Sequence, residues 1–404
     1  MKNRTGVTYS CFFFKVIKMT ERLFEKDAYC RSFDANVVFC EEKDGFFFVV
    51  LDKTAFFPEG GGQAPDKGTI DGADVLDVQE KDGIVYHKTA NAYETGKTVH
   101  CELDWELRFE RMQSHSGEHV VSGIVHSLFG YDNVGFHMSE KTMTVDFSGP
   151  LTAEDIAKVE LESNKAIFRN APVTASYPTK EELAETDYRS KIEPRDGIRL
   201  ITIEGIDCCA CCAPHPAFTG EIGMVKIIDF CPHKGGTRIE MVAGINAFLD
   251  YSALHSSVKA VMNLLSAKRD TIADSVSKLQ DSSNELKSEN GKLSRKLALA
   301  EMKPEIINGC AYTIGNGMSY DDLRACSNSL IDGGMRKCIL LSETEENSYI
   351  YVVSSIENDV RALVAELNGK FSGKGGGKDN YAQGKLTAET EENLKSFIIN
   401  IFSK

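Results

Sequence analysis

Two separated stretches, residues 111–119 (RMQSHSGEH) and residues 210–215 (ACCAPH), carry the pattern that decides the fold of this chain. In the first stretch His115 and His119 are four positions apart, which places them on one face of a helix. Cys211 and His215 repeat that spacing roughly a hundred residues later. Three imidazoles and one thiol form the mixed nitrogen and sulfur donor set that zinc prefers. The two stretches therefore predict a metal site assembled from distant parts of the chain.

The residues alone leave other interpretations open. A single histidine pair at this spacing is more often packed in a core or exposed than metal-bound. Cysteines at positions 208, 209, 211 and 212 favour metal over a disulfide in cytosol, but they fit a purely structural zinc site equally well. Residues 115–119 also match the His-x-x-Glu-His pattern of inverzincin metallopeptidases, which use a carboxylate as third ligand.

The two stretches together resemble the editing domain of alanyl-tRNA synthetases and of their free-standing relatives, the AlaX-type alanyl-tRNA editing proteins. That family has a His-x3-His helix and a later Cys-x3-His segment that runs into Thr-Gly-Glu-Ile-Gly, as residues 219–223 do. The chain departs from the family at residues 212–214 (CAP), where Gly-Gly-Thr is common, so the loop is expected to differ in shape. The resemblance implies four zinc ligands: His115, His119, Cys211 and His215.

The overall composition is that of a globular protein with an unfavourable charge for binding nucleic acid. The 404 residues suffice for two to four domains, and the formal net charge is −14. RNA would therefore have to be held by local Lys and Arg patches or at its end alone. The 12 cysteines form no regular framework, and no apolar run approaches a membrane span of ~20 residues, so we expect a cytoplasmic protein. Residues 1–18 precede the globular pattern, and we expect an extension or a disordered tail there, with Met19 as the start.

Residues 19–100 contain short apolar runs between Gly and Asp turns, which predict the strands of a small β-barrel. Between two of these runs lies the segment FFPEGGGQ, residues 56–63. Its successive glycines allow positive φ and close approach to a partner, although a plain hairpin turn would also use them. The full segment resembles the Phe-Tyr-Pro-Glu-x-Gly-Gly-Gln motif that precedes the editing core in the same family. The resemblance implies that Gly60, Gly61, Gly62 and Gln63 contact the aminoacylated end of tRNA.

Residues 101–250 form the expected hydrolytic domain, with the histidine pair on a helix over residues 107–128. Glu118, between the two histidines, is a candidate general base, but a solvated helix residue is the favoured interpretation. Arg238 falls in an Arg-Ile-Glu stretch that the family shares, so it is a candidate for orienting substrate or for stabilising the fold. Residues 251–302 follow with apolar positions at intervals of seven, which predict a helical coiled-coil arm.

The last hundred residues, 303–404, alternate predicted strands and helices around a segment rich in glycine and lysine, residues 372–384. The segment lacks the Walker pattern, and a flexible loop is the simplest interpretation. It nevertheless resembles the Gly-Gly-Lys-Gly-Gly-Gly…Ala-Gln-Gly signature of the DHHA1 domain. Backbone N–H groups between two lysines suit a phosphate group. The predicted tRNA contacts are Lys374, Gly375, Gly376, Gly377 and Lys378.

The sequence thus predicts an α+β protein with a barrel, a zinc-containing editing domain, a helical arm and a DHHA1-like α/β domain. The implied function is that of a free-standing editing hydrolase that removes serine or glycine from mischarged alanine tRNA, with Zn2+ as cofactor. A metallopeptidase and a non-catalytic, zinc-stabilised tRNA-binding protein are the alternatives. The sequence leaves open whether the protein forms a homodimer through its C-terminal domain.

Overall fold

The structure is a computed structural model that describes residues 19–190, 197–301, 303–357 and 359–403. The chain divides into two units between Lys259 and Ala260. The extension expected over residues 1–18 lies outside the described residues. In the described part of the chain, no helix is both long and apolar enough to cross a membrane.

The first unit begins with a closed six-stranded barrel. Along its longest strand Phe33, Ala35 and Val37 point inward and are buried, because successive residues of a strand alternate between its two faces. The elements of this part are β1 (Glu21–Arg22), α1 (Leu23–Lys26), β2 (Ser32–Lys43), β3 (Phe46–Leu51), β4 (Lys53–Thr54), β5 (Gly68–Ile70), β6 (Ala73–Lys81), β7 (Ile84–Thr89) and β8 (Thr98–Leu103). The barrel closes in the order β2-β3-β7-β6-β5-β8, and β1 pairs with β4 separately.

A 25-residue helix, α2 (Trp105–Phe129), follows the barrel and carries the histidine pair. Asp104 caps its N terminus, and Gly130 ends it in the left-handed conformation. Arg108 ties the helix to the barrel, because its buried guanidinium donates through Nε to Asp66 at 2.8 Å. This buried ion pair fixes α2 against the segment that carries the glycine turn.

The rest of the first unit surrounds α2 with two antiparallel sheets. Its elements are β9 (Asn133–Met138), β10 (Met143–Phe147), α3 (Ala153–Phe168), β11 (Val173–Ser176), α4 (Lys180–Glu185), β12 (Leu200–Ile203), β13 (Asp207–Ala210), a 3-10 helix (Thr219–Ile222), β14 (Val225–His233), β15 (Gly236–Ala243) and most of α5 (Gly244–Leu265), which crosses the boundary at Lys259. The sheet orders are β14-β15-β10-β9 and β11-β12-β13. Val120 and Val121 of α2 pack into one core with Val145 and Ile239 of the larger sheet. One face of the helix is therefore buried in this core, and that burial holds the histidines in place.

The second unit is built on a six-stranded mixed sheet. Its elements are a 3-10 helix (Arg269–Thr271), α6 (Ile272–Glu301), β16 (Glu305–Ile307), β17 (Cys310–Asn316), α7 (Tyr320–Asp332), β18 (Lys337–Glu345), β19 (Ser348–Ser355), α8 (Val360–Lys370), β20 (Lys374–Lys378), β21 (Tyr381–Thr387) and α9 (Glu391–Ser403). The strand order is β16-β17-β18-β19-β21-β20, with parallel pairing between β17 and β18. The two units together confirm the mixed α+β class.

Two segments differ in detail from the sequence-based expectation. The glycine-rich segment is not a loop: Lys374–Lys378 forms the edge strand β20, antiparallel to β21. Gly375 has no room for a side chain, because a Cβ there would come within 2.6 Å of the carbonyl oxygen of Gln383. The helical arm is interrupted after Leu265, and Leu279 and Leu286 of α6 remain 58% and 63% exposed. Pairing of these heptad positions in a coiled coil stays a prediction.

Candidate metal centre

Four side chains from the two motif stretches meet at one point. The ligand atoms of His115, His119, Cys211 and His215 all lie within 4.8 Å of one another. Sγ of Cys211 is 3.5 Å from Nε2 of His115 and 3.4 Å from Nε2 of His215. The histidines are almost fully buried, with exposed fractions of 6% or less. The structure thus brings together the four predicted ligands, in a donor set that can hold a metal ion.

Each imidazole is held from outside the cluster by a partner on its other ring nitrogen. Those contacts join Nδ1 of His115 to Gln63, Nδ1 of His119 to Asp207, and Nδ1 of His215 to Ser116, at 2.9, 3.0 and 2.7 Å. A proton on Nδ1 leaves Nε2 free as a ligand atom, and such partners fix the ring orientation in metal sites. This arrangement fits a metal ion at the common point of the Nε2 atoms and the thiol.

The electrostatics of the cluster favour the ligand forms of Cys211 and His215 but not that of His119. Burial would lower the pKa of His119, but hydrogen bonds to Asp207, Cys209 and Cys211 outweigh it and hold the pKa well above its usual value. Burial would raise the pKa of Cys211, but the imidazoles of His115 and His215 outweigh it and hold the pKa well below its usual range. Burial lowers the pKa of His215 to about 3. Metal binding requires a thiolate and neutral imidazoles, so an ion bound at the cluster would displace the proton that this environment favours on His119.

The loop that carries Cys211 is clamped by a residue that the sequence pattern did not single out. Nη1 of Arg199 donates to the carbonyl oxygens of Cys211 and Ala213, at 3.1 and 2.7 Å. These two bonds fix the backbone between the two ligands of the second stretch. With residues 212–214 in this clamped loop, both Cys211 and His215 reach the cluster.

The glycine turn of the barrel lies against the cluster. Gly60 and Gln63 exchange backbone hydrogen bonds, and Gly61 and Gly62 have φ of 59° and 83°, which favours glycine at both central positions. A Cβ on Gly62 would come within 2.7 Å of the ring of Phe136, which itself packs on His115 with centroids 5.3 Å apart. The turn predicted to contact substrate is therefore adjacent to the four candidate ligands.

The structure also places the other two predicted site residues of this domain, Glu118 and Arg238. The expectation of a solvated Glu118 is wrong, because this residue is 4% exposed and accepts hydrogen bonds from Ser122 and Asn133. Arg238 pairs across the sheet with Asp146 and donates to both of its oxygens, at 2.6 and 2.7 Å. The neighbouring Ile239 faces the α2 core, so alternation along the strand directs Arg238 to the opposite face. The structure does not bring Arg238 to the cluster.

The sequence motifs did not reveal the outer partners Asp207, Arg189 and Ser116. Asp207 receives two hydrogen bonds of 2.7 Å from Arg189 in addition to its contact with His119. Asp207 begins β13, four residues before Cys211. The nearness of an acidic residue to the cysteine cluster was the available signal. Lys374, Gly375, Gly376, Gly377 and Lys378 belong to the second unit, where all five are exposed.

Comparison with known proteins adds three matches to family models. Residues 26–107 match tRNA synthetases class II (A), residues 198–242 match the threonyl and alanyl tRNA synthetase second additional domain, and residues 307–404 match the DHHA1 domain. The fold and these matches define the class, a protein built from modules that occur in tRNA synthetases.

Individual relatives extend over nearly the whole chain. The alanyl-tRNA editing protein AlaX-L of Pyrococcus horikoshii is 28% identical over 392 residues, which cover 93% of this chain and 96% of that protein. The alanyl-tRNA editing protein Aarsd1 of Danio rerio is 29% identical over 402 residues, 92% of this chain and 96% of that protein. The alanine–tRNA ligase of Ignicoccus hospitalis is 30% identical over 405 residues, 95% of this chain but only 43% of that longer protein. The chain is thus similar to alanyl-tRNA editing proteins over nearly its whole length.

Proposed function

We propose that this protein is a free-standing hydrolase that deacylates alanine tRNA carrying the wrong amino acid, serine first and glycine second. One observation carries the proposal. A buried cluster of three imidazoles and a thiol lies beside a glycine turn, in a chain that covers 96% of an alanyl-tRNA editing protein. Water attacks the ester carbonyl carbon, and the bond to the ribose oxygen breaks. The products are the free amino acid and a tRNA with its terminal hydroxyl restored.

Zn2+ is the metal that suits the proposed site. His115, His119, Cys211 and His215 would hold it, and their mixed nitrogen and sulfur donors are typical of zinc. Bound there, the ion would polarise the ester or orient the amino acid. Because four protein donors form a closed set, the arrangement favours positioning of substrate over activation of water.

The chain's own residues have the following roles in the proposal. The turn Gly60–Gln63 receives the end of the tRNA, since its lack of side chains leaves the backbone accessible beside the cluster. Glu118 has no catalytic step, because Ser122 and Asn133 already hold its carboxylate. Arg238 stabilises the sheet through Asp146. The proposed segments are the barrel at 19–100, the editing domain at 101–250, the arm at 251–302 and the DHHA1-like domain at 303–404.

A hydrolytic site separate from the synthetase pocket is needed, because that pocket cannot reject small side chains strongly by their size. A pocket for alanine excludes glycine or serine weakly, whereas a site that hydrogen-bonds a hydroxyl can discriminate serine from alanine strongly.

Lys374 and Lys378 would hold tRNA through its phosphates, as exposed cations on a glycine strand. No observation favours the metallopeptidase alternative: the third and fourth cluster members are Cys211 and His215, and Glu118 is held by Ser122 and Asn133.

The decisive experiment is a deacylation assay on alanine tRNA charged with serine, glycine or alanine, with an unstructured peptide alongside. The proposal expects fast release of serine, slower release of glycine, little release of alanine and no peptide cleavage. Metal analysis of Cys211→Ala should show loss of zinc, with Cys212→Ala as the matched control because Cys212 lies outside the cluster. Peptide cleavage, or equal release of serine and alanine, would refute the proposal.

A further inference from the structure

The side chain of Gln63 joins the barrel to the metal cluster. It is 1% exposed, and its Oε1 lies 2.9 Å from Nδ1 of His115. The backbone hydrogen bonds between Gln63 and Gly60 hold the base of the side chain at the end of a tight turn. The amide therefore reaches His115 from a fixed position, 52 residues away in sequence.

The other end of the same amide is unsatisfied. Nε2 of Gln63 is enclosed and finds no hydrogen-bond partner among the described residues. Buried donors without partners are rare in folded proteins, and each calls for a physical explanation. Oε1 is already hydrogen-bonded to His115. The Nε2 donor is therefore the atom of this side chain that still requires an acceptor. The neighbouring cluster is where a ligand with such an atom would bind.

We propose that Gln63 has two roles, one through each end of its amide. Oε1 positions His115 by accepting a hydrogen bond from Nδ1–H. This bond orients the ring so that its Nε2 faces Cys211 and the metal. Nε2 donates to an acceptor oxygen of the bound aminoacyl ester, which fixes the ester beside the cluster. The second role rests on the proposed function, whereas the first requires only the metal.

Two substitutions separate the roles. Gln63→Glu keeps an oxygen that can accept from His115 but removes the donor. Gln63→Met has a similar length and removes both. Gln280→Met, an exposed position on α6, is the matched control.

The first role is measured on the full-length protein without tRNA. Metal affinity is obtained by competition with a chelator, and the visible spectrum of the Co2+-substituted protein reports ligand geometry. Gln63→Met should bind metal about 10–100-fold more weakly, as expected when a partner of a ligating histidine is lost. Gln63→Glu should restore the affinity and the Co2+ spectrum. Wild-type affinity in Gln63→Met would overturn the positioning role.

The second role is measured by hydrolysis of serine-charged alanine tRNA at saturating metal. Gln63→Glu should lower kcat/KM by about 10²-fold although its metal is bound, because the donor to the reacting group is replaced by a negative charge. Wild-type kcat/KM in this variant would overturn the substrate contact. If the wild-type protein hydrolyses no charged tRNA, the proposed function and the substrate contact fail together. The metal measurements would still decide the contact to His115.

Discussion

Oδ2 of Asp207 lies 3.0 Å from Nδ1 of His119, and Arg189 holds the same carboxylate from its other side with two hydrogen bonds of 2.7 Å. Burial would raise the pKa of Asp207, but Arg189 and His119 outweigh it and hold the pKa below its usual range. An ionised carboxylate behind a histidine orients the ring and increases its basicity as a ligand. The contact therefore links the candidate ligands to the sheet β11-β12-β13.

Asp207→Asn should weaken metal binding by about 10–100-fold, because the amide is a poorer acceptor for the His119 proton and leaves Arg189 uncompensated. Chelator competition on the purified protein measures the effect. Asp74→Asn, an exposed change on the barrel, should leave the affinity unchanged. Equal affinities in the two variants would show that Asp207 serves only the fold.

Gly62→Ala should damage the site beyond its cost in backbone strain. Gly62 has φ of 83°, and a Cβ there would meet the Phe136 ring at 2.7 Å. Gly45 has φ of 78° with nothing within 4 Å, so Gly45→Ala introduces similar strain without the clash. Backbone strain should cost each variant about 1 kcal/mol of stability, and the clash should add to the loss in Gly62→Ala, as measured by urea unfolding. Only Gly62→Ala should lower the hydrolysis of serine-charged tRNA, and equal activity in both variants would contradict the placement of the turn.

The barrel should lose stability in acid because of His87. This side chain is fully buried between Thr54 and the carbonyl of Val49, and burial lowers its pKa to about 4. In the unfolded chain its pKa is about 6.5, so below that pH the unfolded state binds the proton first. Stability should fall as pH drops from about 6.5 to 4, by roughly 3 kcal/mol from this residue. His87→Gln should flatten this part of the stability–pH curve, and an unchanged slope would assign it to other groups.

Lys374 and Lys378 should determine how tRNA binding depends on salt. With a net charge of −14, general attraction to a polyanion is absent and few phosphate contacts are expected. Each contact contributes roughly −0.7 to −0.9 to the slope of log affinity against log salt. Replacing both lysines by Ala should weaken binding and reduce the slope by about one to two, while hydrolysis at saturating tRNA changes little. The double change Lys158→Ala and Lys180→Ala, exposed positions on α3 and at the start of α4, is the control. An unchanged slope in the first variant would move the phosphate contacts elsewhere.

Prediction from sequence worked best where the information is local. The interval between His115 and His119 is a property of one helix, and one turn of helix places both rings on the same side whatever surrounds it. Cys211 and His215 were identified by the same spacing, although their loop is not helical. The strand β20 was harder to predict, because Gly375, Gly376 and Gly377 have no side chains whose alternation would indicate a strand. Hydrogen bonds to β21 place these glycines in the sheet.

Glu118 shows the limit of local patterns. The sequence favoured a solvated side chain, but Asn133 of β9 and Ser122 donate hydrogen bonds to its buried carboxylate. Burial of a polar residue depends on the element that packs over it. That element is known only when the chain has folded.

The sequence by itself determined the resemblance to alanyl-tRNA editing proteins, the residue types of the candidate ligand set and the helical spacing of its first half, because these are properties of composition and of short intervals along the chain. Only the tertiary structure decided that the Nδ1 atoms of the three histidines are hydrogen-bonded to Gln63, Asp207 and Ser116. It also decided that Arg238 lies on the other face of the sheet. Gln63 and Asp207 lie 52 and 88 residues from their histidines in sequence. The physical reason is that a hydrogen bond depends on distances of about 3 Å and on direction, and packing of the barrel, the helix and the sheets sets both.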